Sequence, residues 1–254
     1  AVLMKVGDPP ITVGQVEGVV LGEDNGMLGL TTDSEGNVYA AVVAASDEAR
    51  GVWKFDPSTG EKSRLPGTEA IPFPNTLTFD EEGTLYVSSS TGEGAAEGGE
   101  QLGAIWRVPK DGTAERWLAD VTLGGTGQLN SFPLGVNGIA YRNNVIYAVN
   151  SEKAMVFSIP VLADGTPGDP KIIAGGSEFL LSDGLAVDDD GNIGDRLETT
   201  LGSVLSSIHA RLESSRDLLH WSPRAIPMKS DGQTTAIFEA PNGGGQAQFF
   251  RIAQ

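Results

Sequence analysis

The chain of 254 residues contains no cysteine and only two histidines, His209 and His220. The absence of cysteine excludes disulfides, thiolate metal ligands and cysteine nucleophiles, but it does not locate the protein in a compartment. No G-x-S-x-G motif accompanies the histidines, so a serine hydrolase is disfavoured. The chain also lacks an apolar run of about 18 residues, and the sequence therefore predicts no membrane-spanning helix.

Basic residues are scarce, since 17 Lys and Arg face 34 Asp and Glu and leave a net charge of −17. Such a surface repels nucleic acid and anionic lipid, so neither is expected as a partner, and it concentrates cations. We expect a monomer that acts on a small-molecule substrate. Because the chain begins with Ala1 rather than Met, a secreted or periplasmic location is favoured over a cytoplasmic one.

Aromatic residues make up only 7% of the chain, whereas glycine and proline are plentiful, at 34 and 14 residues. This composition indicates many turns between short elements. The length fits one all-β domain that spans residues 1–254.

Four segments share one template, in which a short apolar strand is followed by a turn rich in Asp, Gly or Asn. A second strand, usually with a Tyr, comes next in all but the last. The segments are LGLTTDSEGNVYAAV from Leu28, NTLTFDEEGTLYVSS from Asn75, NGIAYRNNVIYAVNS from Asn137 and DGLAVDDDGNI from Asp183. This pattern predicts β-hairpins.

A second type of hairpin lies between these segments. Its copies are GVWKFDPSTGEKSRL from Gly51, GAIWRVPKDGTAERWL from Gly103, AMVFSIPVLADGTPGDPKII from Ala154 and a weaker RAIPMKSDGQTTAIF from Arg224. Two hairpins form a four-stranded module of about 45 residues, the size of a propeller blade. The repeats predict a β-propeller with four clear modules and a partial fifth, and Ile11–Leu21 could add a closing strand to the last blade.

The segment of about 195–221 departs from the template. Apolar residues such as Leu197, Leu201, Leu205 and Ile208 fall near helical spacing there, and Pro223 could end a helix. The spacing favours a helix, and strands remain the alternative.

Leu28, Asn75, Asn137 and Asp183 occupy equivalent positions in the four aligned hairpins. The first strand of each propeller blade lines the central channel, so repeats place equivalent residues in a ring. Three of these four side chains carry oxygen, and oxygen ligands suit a hard cation such as Ca²⁺ or Mg²⁺. The alternative is that Asn and Asp only shape turns.

The motifs PLGVNGIAYRNNVIYAVNS, GAIWRVPKDGTAERWLAD and SDGLAVDDDGNI resemble the senescence-marker-protein/gluconolactonase family of six-bladed propellers. The resemblance covers most of residues 27–193 and implies a divalent cation, with Ca²⁺ favoured over Mg²⁺ or Zn²⁺. It implies that Asn75, Asn137 and Asp183 are metal ligands and that Asp183 is also the catalytic acid/base. A family glutamate is replaced by Leu28, so weak cation binding is expected, because affinity depends on ligand charge and number.

The resemblance implies a metal-dependent hydrolase of lactones or small esters. In such an enzyme the cation polarises the carbonyl and Asp183 is the general base. Leu28 favours an alternative, a metal-independent catalyst of cyclisation or condensation, as in strictosidine-synthase-like or hetero-Diels–Alderase-like propellers. A ligand-binding propeller without catalysis is the third reading, because a fold does not determine a function.

Overall fold

The described part of the chain consists mainly of antiparallel strands. A computed structural model describes residues 2–3, 11–19, 26–128, 133–187, 193–194, 211–215, 222–223 and 249–253. The strands in these ranges are Val2–Leu3 (β1), Ile11–Thr12 (β2), Gly26–Thr32 (β3), Val38–Val43 (β4), Gly51–Phe55 (β5), Lys62–Arg64 (β6), Pro74–Phe79 (β7), Leu85–Ser89 (β8), Gly103–Val108 (β9), Glu115–Asp120 (β10), Val136–Arg142 (β11), Val145–Asn150 (β12), Met155–Pro160 (β13), Lys171–Gly175 (β14), Ala186–Val187 (β15), Ile193–Gly194 (β16), Arg211–Ser215 (β17), Ser222–Pro223 (β18) and Phe249–Ala253 (β19). Short 3₁₀ turns lie at Thr68–Ala70, Val121–Leu123 and Ser177–Phe179.

Three four-stranded sheets contain strands in chain order, β3 to β6, β7 to β10 and β11 to β14. Each sheet is an antiparallel meander made of the two hairpin types that the repeats predicted. Strands β15 and β16 pair where the fourth repeat was predicted. The all-β class and the propeller architecture are therefore confirmed, while the six-bladed ring remains a prediction.

Acidic side chains hold the hairpin turns of the first two sheets. The Asp33 carboxylate accepts hydrogen bonds from the backbone N–H groups of Glu35 at 3.0 Å and Asn37 at 2.9 Å. Asp80 accepts from Thr84 in the same way, at 2.7 Å. Asp can cap the backbone of its own turn, which is why the repeated turns rich in Asp, Gly or Asn indicated hairpins.

Apolar side chains fill the space between neighbouring sheets. Residues of the first and second sheets form one cluster, which includes Tyr39, Val52, Leu77, Leu85 and Val87. Residues of the second and third form another, which includes Tyr86, Ile105, Ile139, Ile146 and Phe157. Sheets that pack face to face in sequence, as blades do, bring their first strands together, and β3 lies beside β7, β7 beside β11 and β11 beside β15.

The helix predicted for about 195–221 is wrong for Arg211–Ser215. This stretch is strand β17, which pairs antiparallel with β19 in a register that places Arg211 opposite Ala253. A partner so distant along the chain can override local helical spacing, because strand pairing is a tertiary interaction. The rest of that segment, including His209 and His220, lies outside the described residues, and so does the whole repeat from Arg224.

The N-terminal strand makes a local pair. Strand β2 (Ile11–Thr12) pairs with the nearby strand β1 (Val2–Leu3), and within the described ranges β2 pairs with no other strand. In those same ranges no helix has the length and apolar character needed to cross a membrane.

Candidate functional site

Each of the three full sheets has an irregularity at the same place in its first hairpin. The register shifts between Met27 and Leu30, between Pro74 and Leu77, and between Val136 and Ile139. Each β-bulge therefore consists of a predicted ring residue and the residue after it, namely Leu28–Gly29, Asn75–Thr76 and Asn137–Gly138. Bulges re-aim side chains and are frequent beside active sites. This explains why polar residues and glycines interrupt otherwise strong strand sequences.

Two of these bulges are in backbone contact with the equivalent segment of the next repeat. A β-carbon added at Gly138 would lie 2.2 Å from the carbonyl oxygen of Asp183, and one added at Gly29 would lie 2.0 Å from that of Asn75. Real β-carbons do not approach so closely, so only glycine allows these contacts.

A serine side chain links the other two neighbouring bulges, Asn75–Thr76 and Asn137–Gly138. The Ser88 hydroxyl donates to the carbonyl oxygen of Asn137 at 2.6 Å, and it accepts from the backbone N–H of Thr76 at 2.9 Å. The four predicted ring positions are thus connected in series, by backbone contacts at Gly29 and Gly138 and by the Ser88 side chain between them.

The amide group of Asn137 is buried and only half of it is paired. Its Nδ2 donates to Ser151 Oγ at 3.0 Å, and the Ser151 hydroxyl donates to the carbonyl oxygen of Ser182 at 2.7 Å. The other end of the amide, Oδ1, is buried without a hydrogen-bond partner among the described residues. A buried unpaired oxygen is costly and is a ready cation ligand.

The Asn75 amide makes the same kind of hydrogen bond to a serine in the second sheet. Asn75 is 7% exposed, and its Nδ2 donates to Ser90 Oγ at 3.0 Å. In the first sheet both partners are apolar, because Leu28 and Val43 occupy the equivalent positions. Leu28 is 41% exposed, so the ring has one apolar side.

Asp183 is exposed and lies just before β15 rather than on the strand itself. Its backbone is in contact with the Asn137–Gly138 bulge, because a β-carbon added at Gly138 would lie only 2.2 Å from the Asp183 carbonyl oxygen. The structure therefore brings the backbones of Asn137 and Asp183 together. The roles of Asn75, Asn137 and Asp183 as metal ligands, and of Asp183 as a catalytic residue, remain predictions.

The donor set of this site differs from the usual clusters of acids and histidines. In the part of the chain that the structure describes, no three His, Cys, Asp or Glu side chains gather around a possible ion position. The candidate ligands are two amide oxygens and one carboxylate, all hard oxygen donors. They fit Ca²⁺ or Mg²⁺ in type, with a single formal charge.

The sequence did not point to Glu152, a buried acid next to Ser151. Its Oε2 accepts hydrogen bonds from the Thr126 backbone and hydroxyl and, at 2.7 Å, from the Gly127 N–H. Burial is the largest influence on its pKa and raises it, but the hydrogen bonds from Thr126 and Gly127 outweigh burial and lower the pKa overall. Glu152 thus ties the Gly124–Gln128 loop to the end of β12. In the sequence, the one indication of a role for Glu152 was its position directly after Asn150–Ser151.

The fold is that of a β-propeller, with the buried amides of Asn75 and Asn137 in bulges of the first strands of two sheets. No family model matches the chain, and no curated protein matches it. Among solved structures, a gluconolactonase from Xanthomonas campestris aligns at 18% identity over 66% of this chain and 54% of its own, with a TM-score of 0.49. A calcium-binding regucalcin from Agrobacterium tumefaciens aligns at 21% identity over 65% and 50%, with a TM-score of 0.43.

Virginiamycin B lyase from Staphylococcus aureus aligns at 14% identity over 69% of this chain and 50% of its own, with a TM-score of 0.43. The resemblance predicted from the motifs is confirmed in the sense that gluconolactonase and regucalcin structures are similar to this chain. At these identities the likeness concerns the fold alone. The chain spans about half the length of the structures that it matches.

Proposed function

We propose that the protein is a metal-dependent hydrolase of lactones or small esters. The observation that supports it most is the Asn137 amide, whose Oδ1 is buried and has no partner among the residues that the structure describes, while its Nδ2 is bonded to Ser151. An asparagine with this geometry presents a carbonyl oxygen to a ligand. Asp183, in backbone contact with the same bulge, supplies the only carboxylate of the proposed site.

The residues of the ring have distinct roles in this proposal. Asn75 and Asn137 hold the cation through their side-chain carbonyl oxygens, and Asp183 contributes the negative charge. The bound cation would supply Lewis-acid polarisation of the substrate carbonyl. Asp183 is exposed and therefore accessible to water. It accepts a proton from the water that attacks the lactone carbonyl carbon. The product of this hydrolysis is a hydroxy acid.

Calcium is expected to stabilise the protein measurably. With one formal charge in the site, we expect a Kd of about 1 mM. About 10 mM Ca²⁺ then adds about 1.4 kcal/mol to the free energy of unfolding and raises Tm by about 4 °C. Thermal unfolding with and without Ca²⁺ measures this shift. Asn137→Ala should show a smaller shift, and an equal shift in wild type and Asn137→Ala would contradict the proposed site.

The substitution Leu28→Glu is expected to strengthen cation binding. A carboxylate at the fourth ring position adds charge and a ligand, so Ca²⁺ affinity should rise at least about tenfold. Leu28 is partly exposed, so the new charge is not deeply buried. Calorimetric titration measures the Kd, and Leu30→Glu, on the same strand, is the matched control. Equal affinities in these two variants would show that position 28 does not face the cation.

A metal-independent pocket catalyst is the second candidate, and the apolar pair Leu28 and Val43 favours it. An exposed leucine beside the Asn75 bulge would suit the apolar part of an organic substrate. The two candidates differ in their response to chelators. Turnover of a γ- or δ-lactone panel that stops with EDTA and returns with Ca²⁺ supports the hydrolase, whereas EDTA-resistant turnover would contradict its metal dependence and no lactone turnover in either condition would favour the second candidate.

A further inference from the structure

The orientation of the Asn137 amide follows from the single hydroxyl proton of Ser151. A serine hydroxyl has one hydrogen to donate and two lone pairs that accept. Ser151 donates its hydrogen to the carbonyl oxygen of Ser182 at 2.7 Å. Towards Asn137 it can therefore only accept, and the group that faces it must be Nδ2, at 3.0 Å.

A rotated amide would place two acceptors against each other. If Asn137 turned by 180° about its last side-chain bond, Oδ1 would face Ser151 Oγ with no proton between them. Ser151 could supply that proton only by releasing the Ser182 carbonyl. Both groups are buried, with Ser151 0% exposed, so water cannot replace the lost hydrogen bond and the rotation is costly.

The internal repeats show that serine accompanies asparagine at this place. Asn137 is bonded to Ser151, 14 residues on, and Asn75 is bonded to Ser90, 15 residues on. At the equivalent positions of the first sheet, Leu28 replaces the amide and Val43 replaces the hydroxyl. The hydroxyl is absent in the first sheet, where there is no amide for it to bond.

We propose that Ser151 is a positioning residue that keeps the Oδ1 atom of Asn137 turned towards the cation site and ties it to the segment before Asp183. Ser182, which accepts the Ser151 proton, immediately precedes Asp183 in the chain. One hydroxyl thus sets the relative placement of two proposed ligands from neighbouring repeats. The amide orientation stands on the hydrogen bonds alone, whereas its effect on cation binding rests on the proposed function.

Calorimetric titration of Ca²⁺ into four proteins tests the effect on binding. The proteins are wild type, Ser151→Ala, Asn137→Ala and the double variant. Residues that orient a metal ligand typically change affinity by about 10- to 100-fold when removed. We expect Ser151→Ala to raise the Kd about 10-fold in the wild-type background and to change it less than about twofold when Asn137 is already alanine, because coupled residues are not additive.

A second measurement reports the amide orientation without any metal. The side-chain ¹⁵N–¹H signals of Asn137, assigned by their loss in Asn137→Ala, should show one slowly exchanging proton in the wild type. In Ser151→Ala this proton should exchange faster and its chemical shift should change. Ser63→Ala, an exposed serine on β6, is the control and should leave the signals unchanged.

The outcomes separate the two proposals. Unchanged Asn137 signals in Ser151→Ala, or an equal change of Kd in both backgrounds, would overturn the positioning role even if Ca²⁺ binds. If Ser151→Ala alters the Asn137 signals but the wild type binds no Ca²⁺, the positioning of the amide is supported and the proposed hydrolase is overturned. A Kd change that depends on Asn137, together with altered Asn137 signals in Ser151→Ala, supports both the positioning role and the proposed cation site.

Discussion

Asp183→Asn is expected to lower kcat/KM for lactone hydrolysis by about 100- to 10,000-fold, the range lost when a general base is removed. The amide cannot accept a proton at neutral pH, and the site would keep no formal charge. Cation affinity should therefore fall together with turnover. Initial rates on the γ- and δ-lactone panel, measured at saturating Ca²⁺, separate the loss of the base from the loss of the ion.

Asp169→Asn is the matched control for this substitution. Asp169 is an exposed acid outside the ring, so the variant changes net charge by the same amount and leaves the proposed site intact. Its kcat/KM should stay within about twofold of wild type, since surface charge acts mainly on solubility and encounter. A full rate in Asp183→Asn would remove Asp183 from the chemistry.

Gly138→Ala is expected to destabilise the protein by about 3 kcal/mol, the upper part of the range for overpacking. The added β-carbon would lie 2.2 Å from the Asp183 carbonyl oxygen and 2.7 Å from the Leu185 backbone nitrogen. Both are backbone atoms that cannot rotate away. Relief requires the inner strand β11 and the segment before β15 to separate, which also moves Asn137 from Asp183. Urea unfolding at equilibrium measures the loss.

Gly175→Ala provides the comparison at a position without such contacts. A β-carbon there would meet its nearest atoms at 3.6 Å, an ordinary separation. Its stability should lie within about 1 kcal/mol of wild type, because alanine reduces the freedom of the unfolded chain at compatible sites. If Gly138→Ala were as stable as Gly175→Ala, the close contact between neighbouring inner segments would not exist in solution.

The hairpins could be read from the chain because their signals are local. Asp33 and Asp80 cap turns made of their own neighbours, and alternating apolar residues select one face of each strand. The turn between β11 and β12 is equally local, since Asn143 and Asn144 adopt φ values of 50° and 59°. Such tight two-residue turns favour Asn. The three four-stranded sheets were therefore predictable without knowledge of any distant contact.

The helix prediction failed at Arg211–Ser215 for the opposite reason. Spacing within a short window cannot reveal that Phe249–Ala253 pairs with this stretch. The hydrogen bonds of a strand belong to its partner, and the partner is chosen by tertiary packing.

The sequence by itself determined the repeat, its turns and the equivalence of Leu28, Asn75, Asn137 and Asp183. Local chemistry suffices for these, since each follows from a dozen neighbouring residues. Tertiary structure alone decided that Leu28, Asn75 and Asn137 sit in β-bulges, that Ser151 bonds both Asn137 and Ser182, and that Glu152 holds the Gly124–Gln128 loop. The bulges depend on how the two strands of a hairpin pair, and the contacts of Ser151 and Glu152 reach Ser182 and Gly127, which are distant along the chain, so the repeat pattern alone could not specify them.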